Sequence, residues 1–151
     1  LWGRLEWLIV DLPPGTSDAS LTVMQSLPLS GVVLVSSPQD LAGMVVRKAA
    51  QMARHLGVPI LGLVENMSYF VCPDTEKRYD IFGPSHAEET ARWLGVPFLG
   101  RLPLDLHIAR LCDDGAVEDY AAEGFASIVQ KLAETTPQAR CPLFASMGGG
   151  R

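Results

Sequence analysis

Apolar and polar positions fall in blocks along the chain, and the period changes from block to block. In Leu5–Asp11 the run Leu8-Ile9-Val10 stops at a carboxylate, which predicts a strand buried on both faces of a sheet. Ala19–Leu27 reads as a short helix, and Gly31–Ser36, with Val-Val-Leu-Val, as a second buried strand. Leu41, Met44, Val45, Ala49, Met52, Ala53 and Leu56 then recur at helical spacing, with Lys48 the one break in an apolar stripe. Ser37 suits the cap of that helix, Pro38 its first position and Asp40 the capping-box position, while Gly57 stops it.

An internal echo supports repeated helix-to-strand units. Leu56-Gly57-Val58-Pro59-Ile60-Leu61-Gly62 resembles Leu94-Gly95-Val96-Pro97-Phe98-Leu99-Gly100. Each copy reads as a helix end, a glycine stop, a proline that prevents continuation and a new strand. Between them lies the irregular stretch Glu65–Gly83, followed by a helix over Pro84–Leu94 with Glu88 and Glu89 early and Arg92 late, as the helix dipole favours. Leu104–Cys112 and Val117–Ala133 are the last expected helices, the latter with Phe125, Ile128, Val129 and Leu132 as its core stripe. The expected fold is α/β, a parallel sheet with helices on both faces. Residues 1–134 form one unit, and 135–151, without periodicity and ending Gly-Gly-Gly-Arg, read as a mobile tail.

Composition narrows the function classes. The 151 residues are 48% hydrophobic and 19% charged, ordinary for a soluble domain with a real core. A net charge of −5 argues against non-specific binding to nucleic acid or an anionic membrane, and no apolar run approaches a bilayer span. Cys72, Cys112 and Cys141 are widely spaced and odd in number, which fits a reducing cytoplasm better than a disulfide framework. The chain begins almost inside a strand and lacks an initiator Met, so it reads as part of a longer protein. Met24, Met44 and Met52 read as core residues, and His55, His86 and His107 show no metal spacing.

Candidate chemistry gathers at strand ends, where parallel sheets present ligands. Asp11 ends the first strand, and a carboxylate there can hold Mg²⁺ through a water. Pro13 and Pro14 stiffen the turn that follows, and Gly15 lets a backbone N–H approach a phosphate oxygen. Thr16 and Asp18 suit either this loop or the cap of the next helix. Asn66, after the Ile60 strand, carries an amide able to read a purine edge, although a turn-forming Asn is the simpler reading for that residue alone. Pro103, Leu104 and Asp105 follow the last strand; their backbone can line a base, while Asp105 suits equally a helix cap. For Ser37 and Asp40 capping outweighs ligand contact.

In order, Asp-Leu-Pro-Pro-Gly-Thr, Ser-Ser-Pro-Gln-Asp, Val-Glu-Asn-Met-Ser-Tyr-Phe-x-Cys-Pro, Ile-Phe-Gly and the Leu-Pro-Leu-Asp segment resemble the Mrp/ApbC family over roughly residues 2–133. These are MinD/ParA-like P-loop ATPases that carry or assemble iron–sulfur clusters. The resemblance implies an ATP- and Mg²⁺-dependent homodimer in the cytoplasm that serves iron–sulfur client or scaffold proteins, with no nucleic-acid or membrane partner. It assigns Asp11 as the Walker B acid and Gly15 as the glycine that senses the γ-phosphate. It sets Asn66 against adenine, with Pro103, Leu104 and Asp105 flanking the base. Cys72 matches the first cysteine of a Cys-Pro-x-Cys motif that, paired across the dimer, holds a 4Fe–4S cluster.

The chain departs from that pattern twice. It contains no Gly-x-x-x-x-Gly-Lys-Ser/Thr, the segment that supplies phosphate-binding N–H groups, the lysine and a Mg²⁺-binding hydroxyl. In the family that segment lies upstream of Asp11. The cysteine motif reads Cys72-Pro73-Asp74-Thr75, so Thr75 stands in place of the second thiolate and the cluster expectation rests on Cys72 alone. Two other readings stay open: a MinD/ParA-type positioning ATPase, which wants a basic or membrane-binding tail, and a non-enzymatic interaction module using the aromatic insertion Met67–Phe82. That insertion reads as a hairpin at an interface or as a locally packed loop.

Overall fold

The computed structural model describes residues 5–121 and 123–137. The expected mobile tail lies outside these from residue 138 onward, as does Cys141. Elements run in the order α1 (Asp18–Ser26), β1 (Val32–Ser36), α2 (Asp40–His55), β2 (Ile60–Glu65), β3 (Phe70–Val71), β4 (Arg78–Tyr79), α3 (Ala87–Leu94), β5 (Phe98–Arg101), α4 (Leu106–Asp114), a 3₁₀ turn (Val117–Asp119) and α5 (Glu123–Thr135).

Three parallel strands form the main sheet in the order β1-β2-β5. β2 lies in the middle, and five of its six residues, Leu61–Glu65, are buried. One face is covered by α2 and α3, where Leu34 and Leu63 meet Val46, Ala50, Ala87, Ala91 and Leu94. The other is covered by α5, where Val64 and Leu99 meet Ile128. Helices on both faces of a parallel sheet are thus present as the blocks of apolar residues predict. α5 approaches closely because β5 carries Gly100, where a Cβ would lie 2.8 Å from Ile128 Cγ1. Lys131 Nζ also donates to the Leu99 carbonyl at 3.0 Å.

The echoed helix ends are real. Gly57 (φ 70°) and Gly95 (φ 62°) both turn the chain through the left-handed region after α2 and α3, a conformation that glycine adopts without steric cost. The Glu65–Gly83 stretch contains the antiparallel β3–β4 hairpin, with Phe70 opposite Tyr79 and Val71 opposite Arg78.

Several expectations give way. Leu5–Asp11 is not a strand, and Leu8, Ile9 and Val10 are exposed. A parallel strand needs a neighbour to receive its backbone groups, and among the described residues no strand lies beyond β1. In α2 the core face is Val46, Ala50 and Ala53. Leu41, Met44 and Val45 stay exposed, because among the described residues β1 is an edge strand and no further strand lies beneath that side of the helix. The cap of α2 is Gln39, whose side chain bonds no helix N–H, so Ser37 and Pro38 precede the helix; the Ser37 hydroxyl donates instead to Gln39 Oε1. α3 starts at Ala87 and α4 at Leu106, each later than expected. Val117–Ala133 is two elements, broken by an extended Tyr120 (φ −68°, ψ 127°). In α5 Val129 faces outward, leaving Ile128 and Leu132 as the core contacts.

Candidate functional site

The carboxyl ends of β1, β2 and β5 are knitted together by backbone bonds. Asn66 N–H donates to the Ser36 carbonyl at 2.8 Å, Leu102 N–H to the Glu65 carbonyl at 2.8 Å, Ser68 N–H to the Leu102 carbonyl at 2.9 Å and Leu104 N–H to the Tyr69 carbonyl at 2.7 Å. Asn66 and the Pro103–Asp105 segment, far apart in sequence, therefore belong to one rim. Asn66 is exposed between the buried residues Glu65 and Ser68. Its Oδ1 accepts from Met67 N–H at 2.9 Å, closing a turn in which Met67 takes φ 52°. The turn-forming role and a base-reading role are compatible, since the Asn66 Nδ2 protons remain free to donate. Beside this turn a crevice of about 300 Å³ is lined by Val35, Ser36, Val45, Val46, Asn66 and Met67 among others. Pro103–Asp105 do not line it.

Asp105 serves as a cap. Its Oδ1 accepts from His107 N–H at 2.7 Å at the start of α4, and its Oδ2 accepts from Tyr120 O–H at 2.7 Å. The tyrosine bond, then the His107 N–H, hold the Asp105 carboxyl below its ordinary pKa, and the same contact raises that of Tyr120. A depressed carboxylate contributes stability above its unfolded pKa and loses it as pH falls through the folded value. Asp105→Ala should therefore cost about 1 kcal/mol at neutral pH, and the deficit should shrink in urea melts taken toward pH 3.

Asp11 is exposed and Gly15 half-buried in the segment that leads into α1. Gly15 has φ 79°, and no atom stands within 4 Å of where a Cβ would be. Ser20, buried in α1, donates from Oγ to the Pro13 carbonyl at 3.3 Å, and Ser17 Oγ accepts from Ser20 N–H at 3.3 Å as the cap. Asp18 is thus the first helical residue rather than the cap. No hydrogen bond among the described residues joins Asp11 or Gly15 to Asn66 or Pro103. Nor do the described residues contain a cluster of three or more His, Cys, Asp or Glu able to hold a metal. Asp11 is a single exposed carboxylate and not a metal-binding shell.

Cys72 opens the β3–β4 turn, where its N–H donates to the Lys77 carbonyl and its carbonyl accepts from Glu76 N–H. The Thr75 hydroxyl, then the Asp74 and Thr75 N–H groups, hold the Cys72 thiol below its ordinary pKa. Thr75 thus bears on the thiol through its pKa and adds no second thiolate. Cys112 is exposed on α4, away from this turn. In a Cys112→Ser/Cys141→Ser background, Thr75→Val should slow iodoacetamide labelling of Cys72 at pH 7 severalfold. The thiolate fraction falls as the pKa rises, and the two rates should converge at high pH.

A feature that sequence reasoning missed is the polar network beneath the rim. Glu65, 1% exposed, accepts from the Ser68 hydroxyl. Arg101 Nε lies 3.9 Å from Glu65 Oε2 and its second terminal nitrogen 3.8 Å from Glu88 Oε1. The sequence signal was a glutamate at the end of an otherwise apolar strand, where a charge is buried only with partners.

The family model for NUBPL iron-transfer P-loop NTPases, of the ParA group, matches residues 1–136. The chain belongs to that family. A protein called iron–sulfur cluster carrier protein from Methanocaldococcus jannaschii is 43% identical over 139 residues, covering 89% of this chain and 48% of the relative. The iron–sulfur cluster transfer protein NUBPL of Mus musculus is 48% identical over 123 residues, covering 82% of this chain and 39% of the relative. A solved structure of a nucleotide-binding protein from Archaeoglobus fulgidus in complex with ADP superposes with a TM-score of 0.74 at 45% identity, over 83% of this chain and 51% of that one. The chain thus spans about half the length of the relatives it matches, or less. The P-loop NTPase fold read from the sequence and the Mrp/ApbC resemblance both agree with these matches. Among the described residues no helix is long and apolar enough to cross a membrane.

Proposed function

We propose that this chain is the base-binding part of an ATP-dependent iron–sulfur cluster carrier. The observation that carries this reading is the shared rim, in which Asn66 and Pro103–Asp105 are held together at the carboxyl ends of β2 and β5. Asn66 contacts the adenine edge, and the backbone of Pro103–Asp105 flanks the ring. Asp11 holds Mg²⁺ through a water and Gly15 approaches the γ-phosphate once the phosphate-binding segment of the full-length protein is present; that segment supplies the remaining contacts. Nucleotide-driven closure of a homodimer in the cytoplasm then couples slow hydrolysis to delivery of a cluster to client or scaffold proteins.

Cys72 contributes one thiolate per chain to the cargo, in a turn whose donors favour the charged form. A pair of chains offers two thiolates there, half of a Cys₄ shell, so the remaining ligands come from outside the Cys72 turns. Anaerobic reconstitution of the full-length protein with iron and sulfide should give visible charge-transfer absorbance that Cys72→Ala abolishes. No absorbance in the parent protein would remove the carrier reading.

The chain by itself should bind a fluorescent ATP analogue weakly or not at all, because it has no Gly-x-x-x-x-Gly-Lys-Ser/Thr. Submillimolar affinity in a titration would overturn this.

A further inference from the structure

Glu65 is a carboxylate at the end of the central strand, 1% exposed; it does not line the crevice beside Asn66 but borders a smaller cavity of about 70 Å³ with Ser36, Asp40, Arg47 and His86. Its partners are all residues that shape the rim. The Ser68 hydroxyl donates to it across the Asn66–Met67 turn, and Ser68 N–H is tied in turn to the Leu102 carbonyl at 2.9 Å. Arg101, at the end of β5, faces the same oxygen at 3.9 Å and reaches Glu88 on α3 at 3.8 Å. Arg101 Nε is buried without a hydrogen-bond partner, so Glu65 provides the nearby negative charge that compensates it. The turn so pinned is strained, because Met67 sits at φ 52°, a region that non-glycine residues enter at a cost. Such a conformation persists only where its surroundings over-determine it.

We propose that Glu65 is a positioning residue for nucleotide recognition: through Ser68 and Arg101 it fixes the Asn66–Met67 turn, so that Asn66 Oδ1 is committed to Met67 N–H and Asn66 Nδ2 is presented to the base as a donor. This rests on the base-binding reading above and adds to it the residue that aims the reader. Asn66 so held turns its Nδ2 donor outward, suited to an acceptor nitrogen on the purine edge, while one lone pair of Oδ1 is taken by Met67 N–H. Glu65 itself touches no ligand.

The test uses the full-length protein and two competitors of a fluorescent ATP analogue: ATP, which engages base and phosphate contacts, and inorganic tripolyphosphate, which engages phosphate contacts alone. Loss of the Ser68 bond should weaken ATP about tenfold, the scale of one hydrogen bond to a charged group. Tripolyphosphate should change by less than about twofold, since its contacts lie elsewhere. Glu65→Ala should behave as Ser68→Ala does, and Glu65→Gln, which can still accept from Ser68, should recover most of the ATP affinity. Where Glu65→Ala fails to fold because Arg101 is left uncompensated, Ser68→Ala decides. Adding Ser68→Ala to Asn66→Ala should cost nothing further, as expected when one residue acts through the other. A parent protein that binds ATP no more tightly than tripolyphosphate would defeat the base-binding reading itself. A parent that prefers ATP, with that preference unchanged in Ser68→Ala or with additive losses in the double variant, would overturn the positioning role alone.

Discussion

Replacing Leu63 by alanine is expected to lower the unfolding free energy by about 2–5 kcal/mol, read as a shift of the urea midpoint at constant slope. Leu63 is fully buried in the central strand. Its side chain is part of the core that α2 and α3 make with the sheet, beside Leu34, Ala50 and Ala91. Three of the residues around it are alanines, Ala50, Ala87 and Ala91, whose single methyl groups cannot swing to fill a void. The cavity term therefore adds to the lost transfer energy, and the upper half of the range is expected. Conversion to methionine, close in volume, should cost less than about 1.5 kcal/mol. A loss under 1 kcal/mol for the alanine variant would mean that the helices collapse onto the sheet and that this core is looser than its burial indicates.

Converting Asp11 to asparagine in the full-length protein should reduce ATP hydrolysis about a hundredfold, the scale of losing one preorganised electrostatic contact to a transferring phosphoryl group. The amide keeps the shape and removes the charge that, in the function proposed above, holds Mg²⁺ through a water. Asp11 is exposed and the neighbouring turn is anchored by Ser20 to the Pro13 carbonyl, not by the carboxylate. The thermal midpoint should accordingly stay within a degree or so of the parent, since exposed substitutions typically shift stability little. Full hydrolysis in the variant would remove Asp11 from the metal site; a collapse in stability would instead assign it a structural role.

The features legible from sequence are those where local chemistry and tertiary packing agree. Gly57 and Gly95 announced two helix ends, and the prolines that follow them announced two strands. The apolar runs of β1, β2 and β5 gave the parallel sheet. What was not legible depended on neighbours. Leu8-Ile9-Val10 has the composition of a buried strand, but strand formation is decided by a partner that composition does not reveal. Leu41, Met44 and Val45 have helical spacing, but which side of α2 is covered depends on where the sheet stops. The rim was half legible: Asn66 and Asp105 stood out as polar residues after strands, and both turned out to hold local turns or caps. Glu65 stands out only as a charge ending an apolar strand, and its partners Ser68 and Arg101 are set by the fold, so their network was not legible.

The outer side of β1 has a further consequence. Among the described residues β1 has β2 on one side only, so Val32–Ser36 leaves a row of amide and carbonyl groups unmatched there, next to the exposed apolar side chains of Val35 and Val45. Such an open border is a template for intermolecular strand addition. Produced in isolation at high concentration, the chain should therefore self-associate into β-rich aggregates, and a lysine in place of Val35 should act as a gatekeeper that delays them.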